Sequence, residues 1–196
     1  MDFWLCERCG TTRASPYFTL ESVIRFYRCD YRRIYASEGR DETLQAERRR
    51  AREQWAFITR YSKPNSVLDI GCGYGGFLAE APCQGQGVEV GSGVSFDEYS
   101  LSGKYDLLTF SHSLEHSLDP LDWLRRAVRL LNEEGRLFIE VPKVDQRRWT
   151  WVYQLEMPHK WYFDLSSLEG LLDAAGFRVV AHESPFHLRA LCERAV

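Results

Sequence analysis

Asp69 stands two positions before Gly71 in VLDIGCGYGGF (67–77), where an apolar run meets an acid and then four glycines within six positions. A strand, a glycine-rich turn and a helix together aim backbone N–H groups and a helix N-terminus at a ligand. A nucleoside triphosphate would need G-x-x-x-x-G-K-[ST], and no Lys-Ser or Lys-Thr follows these glycines. A dinucleotide would need G-x-G-x-x-G, which GCGYGG satisfies in its letters. Its pyrophosphate is an anion, however, and Asp69 puts a carboxylate at the strand end, facing the ligand. That placement suits a cation such as an ammonium or a sulfonium.

Other residues could also do chemistry. HSLEH (112–116) has the letters of H-x-x-E-H, a zinc-protease pattern. It directly follows an apolar strand and ends three residues before a helix start, so little helix is available to present both histidines. Histidine exchanges protons near neutral pH, which makes His116 and His159 candidates for acid–base work. His159 lies between Trp149, Trp151, Tyr153 on one side and Trp161, Tyr162, Phe163 on the other. These aromatics suit either a lid on a ring-shaped ligand or packing beneath a loop. Cys6 and Cys9 have zinc-ribbon spacing, and Cys29 is a third candidate ligand.

The elements that position these residues alternate along the chain. Residues 1–40 read as irregular, and 43–62 as a helix with Leu44, Arg48, Ala51, Trp55 and Ile58 on one side. Strands are expected at 66–70, 87–90, 94–96, 105–110, 135–142, 177–183 and 188–195. The run at 105–110 is nearly continuous in apolar residues, as in a strand covered on both faces. Short helix signals lie at 75–81, stopped by Pro82, and after Asp119–Pro120, a cap followed by a first-turn proline. Ser166 and Glu169 read as a capping box for a helix that Gly176 ends. Strands alternating with helices predict an α/β fold: a Rossmann-like, mostly parallel seven-stranded sheet with one antiparallel strand near the C-terminus and flanking helices, some shortened.

At four places in order the chain resembles the class I S-adenosylmethionine-dependent methyltransferases. VLDIGCGYGG resembles their first motif and GVEV (87–90) their second. Residues 105–143 resemble their fourth motif, with the helix and strand after it, and HKWYFDLSSLEGLLDAAGF (159–177) their late segment. The resemblance implies a division into a cysteine-bearing extension, 1–42, and a cofactor-binding methyltransferase domain, 43–196. It implies a cofactor set of Asp69 near the methionine amino group, Gly71, Cys72, Gly73 and Gly75 in the loop, and Glu89 on the ribose. Asp97 is expected at the adenine, with Ser111 and His112 beside the cofactor. It places His116 toward the methyl acceptor, a sugar or biosynthetic intermediate, with His159 the second candidate catalytic residue. Sugar C-methyltransferases of this kind begin with C-x-x-C…C-x-x-C. Here Arg32 occupies the fourth cysteine position, leaving either a zinc site on Cys6, Cys9 and Cys29 closed by another residue, or a metal-free knuckle packed on Trp4, Phe18 and Tyr27. Between Glu89 and Asp106 there are 17 positions (106 − 89), room for a strand but hardly for a helix. The adenine side is then open or covered by another chain, so a homo-oligomer is one expectation. A non-catalytic scaffold that keeps the fold is the alternative reading.

Composition sets the outer bounds. The chain has 196 residues, 44% hydrophobic and 27% charged, with a formal net charge of −3, as in an ordinary globular protein. No apolar run approaches a membrane span, and the N-terminus lacks the pattern of a secretory signal, so a cytoplasmic protein with reduced cysteines is expected. The basic run ERRRAR (47–52) is interleaved with glutamate and reads as a solvated helix face, not a nucleic-acid surface. Cys83 and Cys192 read as packing residues.

Overall fold

The computed structural model describes residues 2–7, 10–15, 19–30, 39–90, 101, 103–144, 159–184 and 186–195. Its elements, in chain order, are β1 (Asp2–Leu5), β2 (Thr12–Ser15), α1 (Leu20–Cys29), α2 (Arg40–Ile58), β3 (Ser66–Ile70), α3 (Gly76–Ala79), β4 (Gln84–Val88) and β5 (Tyr105–Ser111). A 3-10 turn (Leu114–His116) leads to α4 (Pro120–Leu130), β6 (Leu131–Pro142), β7 (Trp161–Tyr162), α5 (Leu165–Ala174), β8 (Phe177–Glu183) and β9 (His187–Arg194).

Six described strands form the central sheet in the order β4-β3-β5-β6-β9-β8. The first four run parallel, and β9 runs antiparallel to both its neighbours. This is the expected sheet with six described strands instead of seven; the strand expected at 94–96 lies outside the described residues. Successive side chains of a strand point to opposite faces, which splits the core in two. Leu68, Leu108, Ile139 and Ala190 pack against Leu124 of α4 and Leu168 and Leu172 of α5. Val67, Leu107, Phe138 and Leu191 pack against Ala51, Trp55 and Ile58 of α2 and Phe77 of α3. Trp55 stacks on Phe77 at 4.8 Å, and its indole N–H donates to the Phe77 carbonyl.

Three elements differ from the sequence reading. The strand expected at 87–90 is Gln84–Val88, paired with β3 from Ser66↔Gln84 to Ile70↔Val88. Its first four residues are exposed, so no apolar pattern announces it. The capping box of α5 is Asp164 with Ser167, not Ser166 with Glu169: the Asp164 carboxylate accepts from the Ser167 N–H, and the Ser167 hydroxyl accepts from the Asp164 N–H. An aspartate two residues upstream supplies the stronger acceptor and starts the helix earlier. Residues 1–40 are not irregular throughout. β1 and β2 form a hairpin, and β2 pairs with β7 through Thr12↔Tyr162 and Arg13↔Trp161.

Candidate functional site

The glycine loop begins where β3 ends. Val88 of β4 accepts hydrogen bonds from the N–H groups of Gly71 (2.7 Å) and Cys72 (3.2 Å), which folds the loop over the strand ends. Gly71 and Gly73 adopt φ of 87° and 55°, in the left-handed region that favours glycine. A Cβ on Gly71 would stand 2.4 Å from the Ser113 Cβ, and one on Gly73 would stand 2.6 Å from a Glu47 oxygen. The sequence reading attributes these glycines to close approach of a cofactor. The protein's own packing already requires both.

Glu47 reaches from α2 to the loop, its carboxylate accepting from the N–H groups of Tyr74 (3.3 Å) and Gly76 (3.0 Å). Beside it opens a narrow cleft walled by Asp69, Gly71, Cys72, Gly73 and Ser111 on the sheet side. Glu47, Arg50 and Gln54 of α2 form the facing wall. These three were unassigned in the sequence, where they sit inside a charge run; their one signal was the spacing that puts them on a single helix side.

Asp69 is buried and accepts from the Thr109 hydroxyl at 2.5 Å. Burial raises its pKa to about 7; the Thr109 hydrogen bond opposes that rise, Glu47 and Glu89 add to it, and Arg50 again opposes it. A carboxylate so placed gains most from a cationic ligand. Glu89 follows β4 immediately, half-buried, close enough to push up both Asp69 and Cys72. Burial first, then Asp69, lifts the Cys72 thiol to about 12, so Cys72 lines the cleft as an unreactive thiol.

Ser111 and His112 part company. The Ser111 hydroxyl faces the cleft and accepts from Gln54 Nε2 (2.8 Å), which also donates to Glu140 (2.8 Å). His112 takes a φ of 53°, with Nε2 3.1 Å from Glu140 and Nδ1 3.5 Å from Glu115. Burial opposes the charged form of His112, but the two glutamates prevail and its pKa is raised. His187 meets its ring edge to face at 4.5 Å. Glu140 is fully buried; His112 and Arg189 overcome the cost of burying its charge and hold its pKa at about 2.

A second cluster lies at the 3-10 turn. His116 and His159 come together, ring centroids 4.8 Å apart, on either side of buried Glu115. Burial works against the Glu115 charge, yet His116, His112 and His159 bring its pKa down to about 2. Lys160 donates its backbone N–H to the Glu115 carbonyl and its ammonium to the His116 carbonyl; burial lowers its pKa to about 8. The turn and the φ of His112 leave no helix to gather HSLEH on one ion, as the sequence reading expected.

Cys6 and Cys29 are exposed. Cys9, Arg32, Asp97, Phe18 and the aromatics Trp149, Trp151 and Tyr153 lie outside the described residues. Trp4 is 66% exposed and so does not pack a knuckle. No described helix is long and apolar enough to cross a membrane.

Residues 39–182 match the family model described as a methyltransferase domain. No curated protein matches the sequence significantly. Among solved structures, the fold is similar to a Burkholderia thailandensis 1,6-didemethyltoxoflavin N1-methyltransferase holding S-adenosylhomocysteine, with a TM-score of 0.68, 18% identity and 98% of each chain covered. It is also similar to the magnesium protoporphyrin IX methyltransferase of Synechocystis PCC 6803, at a TM-score of 0.62 and 16% identity, covering 89% of this chain and 100% of that one. A mitomycin 7-O-methyltransferase matches at a TM-score of 0.58 and 17% identity, over 90% of this chain and 66% of that one.

Proposed function

The chain belongs to the family of methyltransferase domains, and from that premise we propose that it carries the methyl group of S-adenosylmethionine to a small-molecule acceptor, a sugar or a ring-bearing biosynthetic intermediate. The observation that carries the reading is Asp69: a buried carboxylate, raised to about 7, in the wall of a cleft beside a glycine loop at the carboxyl ends of parallel strands. Asp69 would hold the cofactor's ammonium, Arg50 its carboxylate and Glu89 its ribose hydroxyls. The bound cofactor supplies an activated methyl on sulfonium sulfur.

What remains for the chain is to hold the acceptor in line and manage its proton. His116 and His159 are the groups for that second task, with the Glu115 carboxylate 3.8 and 3.9 Å from their Nε2 atoms. Support for a small acceptor comes from the similar structures, whose own substrates are a toxoflavin precursor, a porphyrin and a mitomycin. Calorimetry with S-adenosylhomocysteine, followed by methyl transfer from labelled cofactor to a panel of sugars and ring metabolites, tests the reading. Micromolar binding that Asp69→Asn weakens is expected. Absence of heat with either cofactor form, alongside uptake of NAD, would overturn it.

A further inference from the structure

We propose that Glu115, His116 and His159 form a binding site for one divalent transition-metal ion. The three residues come from two separate segments, the turn after β5 and the approach to β7. Glu115 Oε1 lies 3.8 Å from His116 Nε2 and 3.9 Å from His159 Nε2. One ligand atom from each residue falls within 4.8 Å of the others. Two ligands, each about 2.1 Å from a tetrahedral zinc ion, stand about 3.4 Å apart. The two glutamate-to-histidine sides are therefore about half an ångström longer than in a filled site, and the ligand atoms all lie within 4.8 Å of one another, a spread that ring rotations about the ion would draw in.

Unsatisfied burial points to the same ligand independently. Glu115 is 1% exposed, and neither carboxylate oxygen has a hydrogen-bond partner among the described residues. The histidines around it reach the carboxylate only through ion-pair contacts of 3.5 to 3.9 Å and no hydrogen bond, which leaves its lone pairs open to a metal ion. The nearby Lys160 ammonium is directed at the His116 carbonyl. His112, although its Nδ1 lies 3.5 Å from Glu115 Oε1, groups instead with Glu140 and His187, and its Nε2 is engaged with Glu140. The Lys160-to-Glu115 backbone hydrogen bond (2.9 Å) joins the two segments and keeps His159 over the carboxylate.

Two imidazoles and one carboxylate favour zinc, iron(II) or cobalt(II) over magnesium and calcium, which prefer oxygen ligands throughout. Three protein ligands also leave a coordination position for a substrate oxygen. In that case His116 and His159 would act as ligands, and the ion would acidify an acceptor hydroxyl. The metal site itself stands or falls separately from methyl transfer, since its test reads metal binding and cofactor binding is measured in another experiment.

The test uses the full chain, treated with chelator, in a C6S/C9S/C29S background that removes competing thiolates. Titration with Co²⁺, followed by visible absorption, should show one ion per chain with weak d–d bands and no thiolate charge-transfer band. Mg²⁺ in excess should not displace it. His116→Gln and His159→Gln, checked for folding by circular dichroism, should each weaken Co²⁺ binding about 100-fold or more; Glu115→Gln should do the same if it folds. No Co²⁺ uptake in this triple-serine background overturns the proposal, as does uptake that both histidine variants leave unchanged.

Discussion

Glu140 and Arg189 are register partners across the β6–β9 ladder, and the guanidinium Nε donates to the fully buried carboxylate. The pair is the centre of a network. Arg189 also donates to Glu183 (2.9 Å) and Glu53 (3.1 Å), while Glu140 accepts from Gln54 and faces His112. It thereby connects β9 to the helix that walls the cleft. Removing Glu140 leaves buried Arg189 with only its partly exposed partners Glu183 and Glu53 and takes the shared acceptor from Gln54 and His112, so breaking the pair is costly. Glu140→Ala should lower stability by about 3–5 kcal/mol. A double replacement, E140M with R189M, should cost less than Glu140→Ala alone. Urea unfolding of the three proteins reads both outcomes, and equal losses in the single and double variants would contradict the account.

Asp69 yields a pH dependence of unusual sign for a carboxylate. Its folded pKa, about 7, lies above the unfolded value of 3.8, so the folded chain binds more protons between these limits. Stability from this group therefore falls as pH rises from about 4 to about 7, then levels off. Asp69→Asn should be the more stable protein at pH 8, by up to about 4 kcal/mol, with the advantage gone near pH 4. Cofactor affinity should run the other way, because the cation needs the ionised form. Binding of S-adenosylmethionine should strengthen about tenfold from pH 6 to pH 8 and lose that slope in the variant. Calorimetry at the two pH values, with parallel denaturant curves, gives both numbers.

The parts of this molecule that are legible in its sequence are those whose signal is local. β3, β5 and the glycine loop announce themselves by apolar runs and by residues that tolerate a positive φ, so residue type and spacing suffice to place Asp69 and Gly71. β4 is set too late by the same reasoning because its exposed residues, Gln-Gly-Gln-Gly, look like loop; only pairing with β3 makes them a strand. Glu47, Arg50 and Gln54 are hidden for a different reason. A helix side facing a polar cleft has the same composition as one facing water, and nothing in ERRRAR separates the two. Glu140 and Arg189 are 49 residues apart, and their meeting depends on the register of an antiparallel pair. His112 follows a recognisable motif, yet its left-handed backbone swings the ring toward Glu140, a choice that spacing cannot convey.

Glu47 provides the most direct test of how α2 governs the cleft. Its two oxygens satisfy the N–H groups of Tyr74 and Gly76, donors at the start of a four-residue helix that has no side-chain cap of its own. An unsatisfied helix start is a known weakness, and a capping acceptor removed by alanine costs about 1 kcal/mol. Glu47→Ala should therefore lower stability only modestly. Its effect on the loop should be larger, because Gly73 and Gly76 are both shaped around the Glu47 side chain. S-adenosylhomocysteine should bind about tenfold more weakly, with faster hydrogen exchange at Tyr74 and Gly76. Glu47→Gln keeps an acceptor oxygen for one donor and should recover part of the affinity. If alanine and glutamine behave alike in exchange and in binding, Glu47 acts through its charge on Asp69 and not by holding the loop.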